Sequence, residues 1–194
     1  MRAILLTSFG FTVLADKLWS RNFPHLIIPL RADAPFTPQG TAKSFEVSKE
    51  VWSAASWDVP LLTAATYCGL GFSINQDPKL GAPWELSGVE DDEAFLINIS
   101  ELPNDSLNKD KDTWDSHPWP QPNSAVGILA VYKSGFSNIT WYTPIDCQRG
   151  QVAQFLLQPS EPYNQPDAKL TWFELDYHPP HGITYDLYGP DWVA

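Results

Sequence analysis

Short stretches in which apolar and polar residues alternate recur along most of the chain, and clusters of Pro, Gly, Asn and Asp separate them. In residues 43–51, the apolar residues Phe45, Val47 and Val51 all stand at odd-numbered positions. The remaining positions of this stretch are Ser, Glu or Lys. Side chains of one parity lie on one face of a β-strand, so the pattern predicts sheets with one buried and one solvated face. The predicted strands are 25–30, 43–52, 65–74, 94–100, 126–133, 138–143, 152–158, 169–176 and 182–188.

This number of short strands, with turn residues between them, predicts an all-β fold, an antiparallel β-sandwich of jelly-roll type. After the first 15 residues, no segment of ten or more has the 3.6-residue period of an amphipathic helix. Pro60 limits any helix in 58–65 to one or two turns. We expect four tryptophans in or beside the strands to be core residues: Trp57, Trp84, Trp141 and Trp172.

The N-terminal stretch has a different pattern. Arg2 precedes the apolar run 3–6, and small residues follow up to Ala15. A positive charge, a short apolar core and small residues before a cleavage point are typical of a secretory signal peptide, and the run is too short and too interrupted to span a bilayer. We therefore expect a signal peptide at 1–15 and a secreted β-sandwich domain at 16–194.

The N-glycosylation sequons and the number of cysteines also indicate export. The sequence contains three Asn-X-Ser/Thr sequons, at Asn98, Asn104 and Asn138. Cys68 and Cys147 are the only cysteines, and an even number suits an oxidising compartment. We predict a disulfide between them and glycans on the three asparagines; two buried free thiols are the alternative.

Charge narrows the classes of partner. The formal net charge is −11, so nothing electrostatic favours nucleic acid or an anionic membrane surface. After the signal peptide no apolar stretch has the length of a membrane span. We expect no cofactor and no metal, and a location outside the cell or in the cell wall.

The segment 102–124 is predicted to be a long loop between two strands, because it contains four prolines and a run of charged residues. It also contains Trp114 and Trp119, with Asp115 and Gln121 close in sequence. Flat rings held by prolines can stack on sugar rings while the polar neighbours hydrogen-bond hydroxyl groups. The alternative is that both tryptophans fold back and cap an open end of the sandwich.

Evidence for catalysis is weak in the sequence. His178 and His181 flank two prolines and are best interpreted as exposed residues of a turn between strands rather than as metal ligands. No Gly-X-Ser-X-Gly nucleophile motif occurs, and nothing places two carboxylates at a fixed separation. We therefore expect a protein that is not an enzyme, with an enzyme acting on extracellular polysaccharide as the alternative.

Several segments, taken in order, resemble a known family. They are Phe-Pro-His-Leu-Ile-Ile-Pro-Leu at 23–30, Trp-Asp-Val-Pro at 57–60, Tyr-Cys-Gly-Leu-Gly-Phe at 67–72, Asp-Cys-Gln-Arg-Gly at 146–150, Leu-Thr-Trp-Phe-Glu at 170–174 and Pro-His-Gly-Ile-Thr-Tyr at 180–185. This succession resembles the C-terminal domain of the fungal family named for the ubiquitin-three-binding protein But-two. Many members end with a further cysteine, whereas this chain ends Gly-Pro-Asp-Trp-Val-Ala.

The resemblance implies a fungal source and a β-rich, usually secreted or cell-surface domain. The partner in the family name acts in ubiquitin-like protein activation, which is cytosolic, so we expect that role only if the signal peptide is not used. The sequence thus predicts a secreted, non-catalytic binding module or effector, with a cell-wall polysaccharide or a host protein as its partner.

Overall fold

β-Strands form the regular structure of the computed structural model, which describes residues 16–62, 64–143 and 145–190, and within these residues there is no helix. The expected signal peptide at 1–15 lies outside the described residues. The strands are β1 (Asp16–Asn22), β2 (Leu26–Arg31), β3 (Ser44–Ser48), β4 (Val51–Asp58), β5 (Tyr67–Ser73), β6 (Trp84–Ser87), β7 (Ala94–Glu101), β8 (Ala125–Tyr132), β9 (Ser137–Trp141), β10 (Val152–Pro159), β11 (Lys169–Phe173) and β12 (Gly182–Pro190).

The strands form three antiparallel sheets. The largest has six strands in the order β2-β4-β10-β7-β8-β9, and the two smaller sheets have the orders β1-β12-β5 and β3-β11-β6. Both small sheets pack on the inner face of the six-stranded sheet around one shared core cluster. The arrangement is an all-β sandwich in a single domain, and it confirms the predicted fold class.

Alternation explains which residues enter this core. In β7 the buried residues Phe95, Ile97 and Ile99 share one parity, and in β10 the core residues are Ala153, Phe155 and Leu157. The small sheet β3-β11-β6 contributes a stacked pair, Phe45 on Trp172, with ring centroids 4.6 Å apart and an interplanar angle of 4°. Residues of the other parity in the six-stranded sheet form its outer face, where the candidate site lies.

The strand predictions need three corrections. The predicted strand 43–52 divides into β3 and the start of β4, because Ser48 Oγ accepts hydrogen bonds from the amides of Glu50 and Val51 and turns the chain. The two strands then join different sheets. β1 and β6 were not predicted, since neither has a clean alternation of its own; each is held by its neighbour, β12 or β11. The described residues of 58–65 contain no helical turn.

The tryptophan predictions are correct for Trp57 and Trp172, which are fully buried. Trp84 is only partly buried, and Trp141 is wrong as a core residue because 36% of it is exposed. Trp141 lies on edge strand β9, where no further strand covers its ring.

The predicted disulfide is confirmed. Cys68 in β5 bonds Cys147, with the Cα atoms 5.2 Å apart, within the usual range for a disulfide. It ties the sheet β1-β12-β5 to the segment that follows β9. The described residues contain no helix that could cross a membrane.

Candidate functional site

The outer face of the six-stranded sheet is apolar at one end. Ile28 and Leu30 of β2, Ala54 of β4 and Leu156 of β10 are fully buried there, on the side opposite the main core. Residues 102–124, which we call the long loop, supply the cover through Leu102, Leu107 and Trp114. The loop is therefore a packed layer of the domain.

Gln154 of β10 attaches the long loop to the sheet. Its buried side-chain oxygen accepts hydrogen bonds from the amides of Ser106 at 2.8 Å and Leu107 at 3.2 Å, and its nitrogen donates to Ser56 Oγ at 3.2 Å. A buried amide with partners on both sides fixes where the loop meets the sheet, because each lost partner would leave a polar group unsatisfied. The loop also donates a backbone hydrogen bond from Asp115 to the Pro35 carbonyl at 3.1 Å.

Four aromatic rings meet on this cover, and we call them the aromatic cluster: Trp52, Trp114, His117 and Trp119. The Trp114 ring lies on Trp52 of β4 with centroids 4.3 Å apart, and Trp119 meets Trp52 edge-on at 6.1 Å. Trp114 is half-buried, whereas 57% of Trp119 is exposed. The cluster thus presents one indole ring to solvent on a packed aromatic base.

His117 is the buried member of the cluster and contacts both the loop backbone and the Trp119 ring. Its Nδ1 donates to the carbonyls of Trp114 at 2.9 Å and Thr113 at 3.2 Å, and its ring lies 4.3 Å from that of Trp119. Burial lowers the pKa of His117, so the neutral ring with the proton on Nδ1 fits this geometry. Its Nε2 is buried without a hydrogen-bond partner among the described residues.

A neighbouring carboxyl group has a perturbed pKa as well. Burial raises the pKa of Asp112, whose carboxylate accepts a 2.6 Å hydrogen bond from the Asn108 amide. Asp115 and Gln121, the two polar residues expected to bind hydroxyl groups, are both exposed. Both lie within four residues of Trp119 in sequence.

A cavity of about 370 Å³ opens on the outer face beside Trp52, and we call it the side cavity. The residues that line it are Lys49, Trp52, Asn98, Gln158, Pro159 and Glu161. Its wall therefore combines one indole ring, two amides and one charge of each sign. This is the chemistry with which proteins bind sugars, since a ring face stacks and hydroxyl groups hydrogen-bond.

The sequence prediction did not assign Trp52 to the site. The available signal was the unbroken run Trp52 to Trp57, in which residues of both parities are small or apolar. A strand that is apolar on both faces must be covered on both, so this run indicated that something packs on the outer face. It did not indicate which loop.

The three sequon asparagines lie near this face. Asn98 is an outer-face residue of β7, since its neighbours Ile97 and Ile99 are in the core. Asn104 lies in the long loop, where its Nδ2 donates to the side-chain oxygens of Gln148 and Gln151. Asn138 is exposed on β9.

The His178–His181 turn differs from the prediction. His178 is exposed, but His181 is fully buried, so the expectation of two exposed histidines is wrong for His181. Its Nδ1 accepts from the Asn75 amide at 3.0 Å and its Nε2 donates to the Pro83 carbonyl at 3.2 Å, so both ring nitrogens are occupied. The described residues contain no group of three or more His, Cys, Asp or Glu that could hold a metal ion.

Glu174 is the most strongly perturbed acid in the described part of the chain. Burial raises the pKa of Glu174 to about 8. Its Oε1 accepts hydrogen bonds from Trp172 Nε1 at 2.6 Å and the Ile183 amide at 2.9 Å, while Oε2 has no partner among the described residues and lies against Gly182. The signal for Glu174 in the sequence is a glutamate at the end of an apolar strand.

The family comparison adds to this geometry. The family model described as the ubiquitin 3 binding protein But2 C-terminal domain matches residues 22–179. The chain belongs to this family. A search of curated protein sequences finds no match to the chain.

The But2 C-terminal domain match spans β2 to β11 and includes the long loop, the aromatic cluster and the side cavity. The segments that carried the resemblance, by contrast, lie mostly in the core and around the disulfide, as Trp57, Cys68, Cys147 and Trp172 show. The residues by which the chain resembles the But2 family therefore belong mostly to the framework of the fold and not to the aromatic cluster.

Proposed function

We propose that this But2-family domain is an exported, glycosylated binding module that binds an extracellular or cell-wall polysaccharide without catalysis, through the aromatic cluster. The observation that carries the proposal is the exposed Trp119 ring on the packed base of Trp52 and Trp114. A ring held in this way loses little conformational freedom when a sugar stacks on it. Asp115 and Gln121 supply hydrogen-bonding groups in the same loop.

Three features of the chain support export. The disulfide of Cys68 and Cys147 suits an oxidising compartment. Asn104 and Asn138 lie in exposed positions, where a glycan can be attached. The N-terminal pattern at 1–15 supplies the signal peptide.

Binding is tested by retention on insoluble chitin and β-glucan. The parent protein should be retained by one of them, and Trp119→Ala should reduce retention at least tenfold, since stacking on an aromatic ring contributes about 1.4 kcal/mol or more. Phe136→Ala is the matched control, because Phe136 is an equally exposed aromatic residue in the β8–β9 turn. An equal loss of retention in both variants, or a parent protein that is retained on neither polymer, would reject the polysaccharide and leave a host protein as the partner.

Export is tested by intact-mass analysis of protein secreted by its native source. The expected chain begins at Asp16 and carries N-glycans. A chain that begins at Met1, without glycans and with two free thiols, would reject the proposal.

A second candidate follows from the family itself, whose model carries the description of a ubiquitin 3 binding protein. If the chain remains in the cytosol, it would bind a component of ubiquitin-like protein activation. Affinity capture with the reduced, unglycosylated domain tests this role. Binding that survives Trp119→Ala would assign it to another surface than the aromatic cluster.

A further inference from the structure

We propose that a glycan on Asn98 places its first sugar in the side cavity, against the indole ring of Trp52, and thereby becomes part of the domain's outer face. The inference rests on the proposed export but not on the proposed sugar binding by Trp119. It assigns one of the three sequons a structural role that the other two do not share.

The register of the six-stranded sheet places Asn98 at the cavity. Asn98 pairs with Gln158 of β10 on one side and with Ile128 of β8 on the other, in the interior of the sheet. Its side chain points outward, and it lines the side cavity together with Gln158 and Trp52. A sugar attached to Asn98 Nδ2 therefore begins at the cavity wall.

The cavity matches the first sugar of an N-linked glycan in size and chemistry. Its volume of about 370 Å³ lies at the lower end of the range of small-ligand pockets, which suits one pyranose ring with an acetamido group. Trp52 offers an apolar ring face for the C–H face of the sugar. The Gln158 amide, and Lys49 and Glu161 at the rim, offer donors and acceptors for the hydroxyl and acetamido groups.

The amide groups lining the cavity are available. Neither Asn98 nor Gln158 makes a side-chain hydrogen bond to any described residue, although both are only partly exposed. Half-buried amides normally find partners, and the sugar would provide them in place of water.

The other two sequons are in different surroundings. Asn104 already donates from Nδ2 to Gln148 at 2.8 Å and to Gln151 at 2.9 Å, in an exposed part of the long loop. Asn138 lies exposed on edge strand β9. Glycans there would extend into solvent, so both positions serve as matched controls.

Trp52 belongs to the aromatic cluster as well as to the cavity wall. A sugar packed on Trp52 would restrict this ring and, through it, Trp114. Glycosylation of Asn98 should therefore stabilise the whole outer face, while the glycans at Asn104 and Asn138 should not.

The experiment compares thermal unfolding of protein secreted from a yeast host with that of protein made in a bacterial periplasm, which adds no N-glycans. Site occupancy is read by peptide mass after enzymatic deglycosylation in heavy-oxygen water. We expect Asn98 to be occupied and Asn98→Gln to lower the Tm of the yeast protein by about 2–4 °C. Asn104→Gln and Asn138→Gln should change it by less than about 1 °C.

Two further measurements distinguish the effect of the sugar on the Tm from the effect of the Asn98 side chain. In the bacterial protein, Asn98→Gln should leave the Tm unchanged, because no sugar is lost. Trimming the yeast glycans to one N-acetylglucosamine should keep the full Tm, since the first sugar makes the contact.

A final arm identifies the partner ring. In a Trp52→Leu background the effect of Asn98→Gln in the yeast protein should disappear, as expected for two groups in direct contact. An unoccupied Asn98, an unchanged Tm on Asn98→Gln, or an effect that persists without Trp52 would each overturn the proposal. None of these results depends on whether Trp119 binds a polysaccharide.

Discussion

The indole ring of Trp114 lies on the indole ring of Trp52, with centroids 4.3 Å apart and a 45° tilt between the ring planes. Trp52 belongs to a strand of the sandwich, and Trp114 to the long loop, 62 positions further along the chain. Their contact turns a proline-rich connection into a fixed layer of the structure. It also decides which tryptophan of the loop, Trp119, remains exposed for a ligand.

Removing this contact should release the loop. We expect Trp114→Ala to lower the free energy of unfolding by about 2 kcal/mol, less than for a fully buried tryptophan, because Trp114 is half-buried. Trypsin should then cleave faster after Lys109 and Lys111, which are exposed in the loop. Trp119→Ala is the control and should cost less than about 1 kcal/mol. Equal destabilisation by both variants would contradict the assigned roles.

Gln154 should be the principal polar anchor of the loop. Gln154→Leu removes the acceptor of the Ser106 and Leu107 amides and the donor to Ser56, which should cost about 2–4 kcal/mol of stability. Hydrogen exchange at the Ser106 and Leu107 amides should accelerate selectively. Gln151→Leu, at an exposed position, is the control, and slow exchange at both amides in Gln154→Leu would show that the anchor lies elsewhere.

Glu174 should make the domain less stable as the pH rises. Because burial raises the pKa of Glu174 to about 8 from an ordinary value of 4.5, the folded state favours the protonated acid. The stability linked to this proton is complete below about pH 4.5 and is lost as the pH rises through 8, by roughly 3–5 kcal/mol in total.

Denaturant unfolding at several pH values measures this effect. Glu174→Gln keeps an acceptor for Trp172 and Ile183 and should remove the alkaline loss, so the stability of the variant should be flat between pH 6.5 and 9. Below pH 6.5 both proteins should lose stability together, because burial lowers the pKa of His117 and of His181 and folding favours their neutral rings. A parent protein that is equally stable at pH 6.5 and 9 would refute the buried acid.

Gly182 should tolerate no side chain. Its φ of +115° lies in the region that favours glycine, and a Cβ there would collide with the carboxyl group of Glu174. Gly182→Ala should therefore destabilise by about 2–4 kcal/mol. Gly40→Ala is the matched control: its φ is +71°, but open space surrounds it, so it should cost only about 1 kcal/mol. Similar losses in the two variants would mean that the backbone conformation alone sets the cost.

The disulfide should contribute stability by restricting the unfolded chain. Cys68 and Cys147 are separated by 79 positions, a loop for which the chain-entropy estimate is about 4.5 kcal/mol. Replacing both by Ala should lower the free energy of unfolding by an amount approaching that figure. Unfolding of the parent with and without reductant provides the comparison, and an equal stability in both would contradict this role.

The sequence by itself determined most of the strands, although not β1 or β6, together with the sandwich class and the one possible cysteine pair. The alternation of residues such as Phe95, Ile97 and Ile99 is a local property, since a strand repeats every two residues whatever surrounds it. The pairing of Cys68 with Cys147 followed because no other cysteine exists.

The tertiary structure alone decided which faces are covered, and by what. Trp57 and Trp141 both lie at the C-terminal end of a strand, yet one is buried in an inner strand and the other lies on an edge, because sheet order comes from pairing between distant segments. The contact of Trp52 with Trp114 and the enclosure of Glu174 depend in the same way on residues that are remote in sequence and adjacent only after folding.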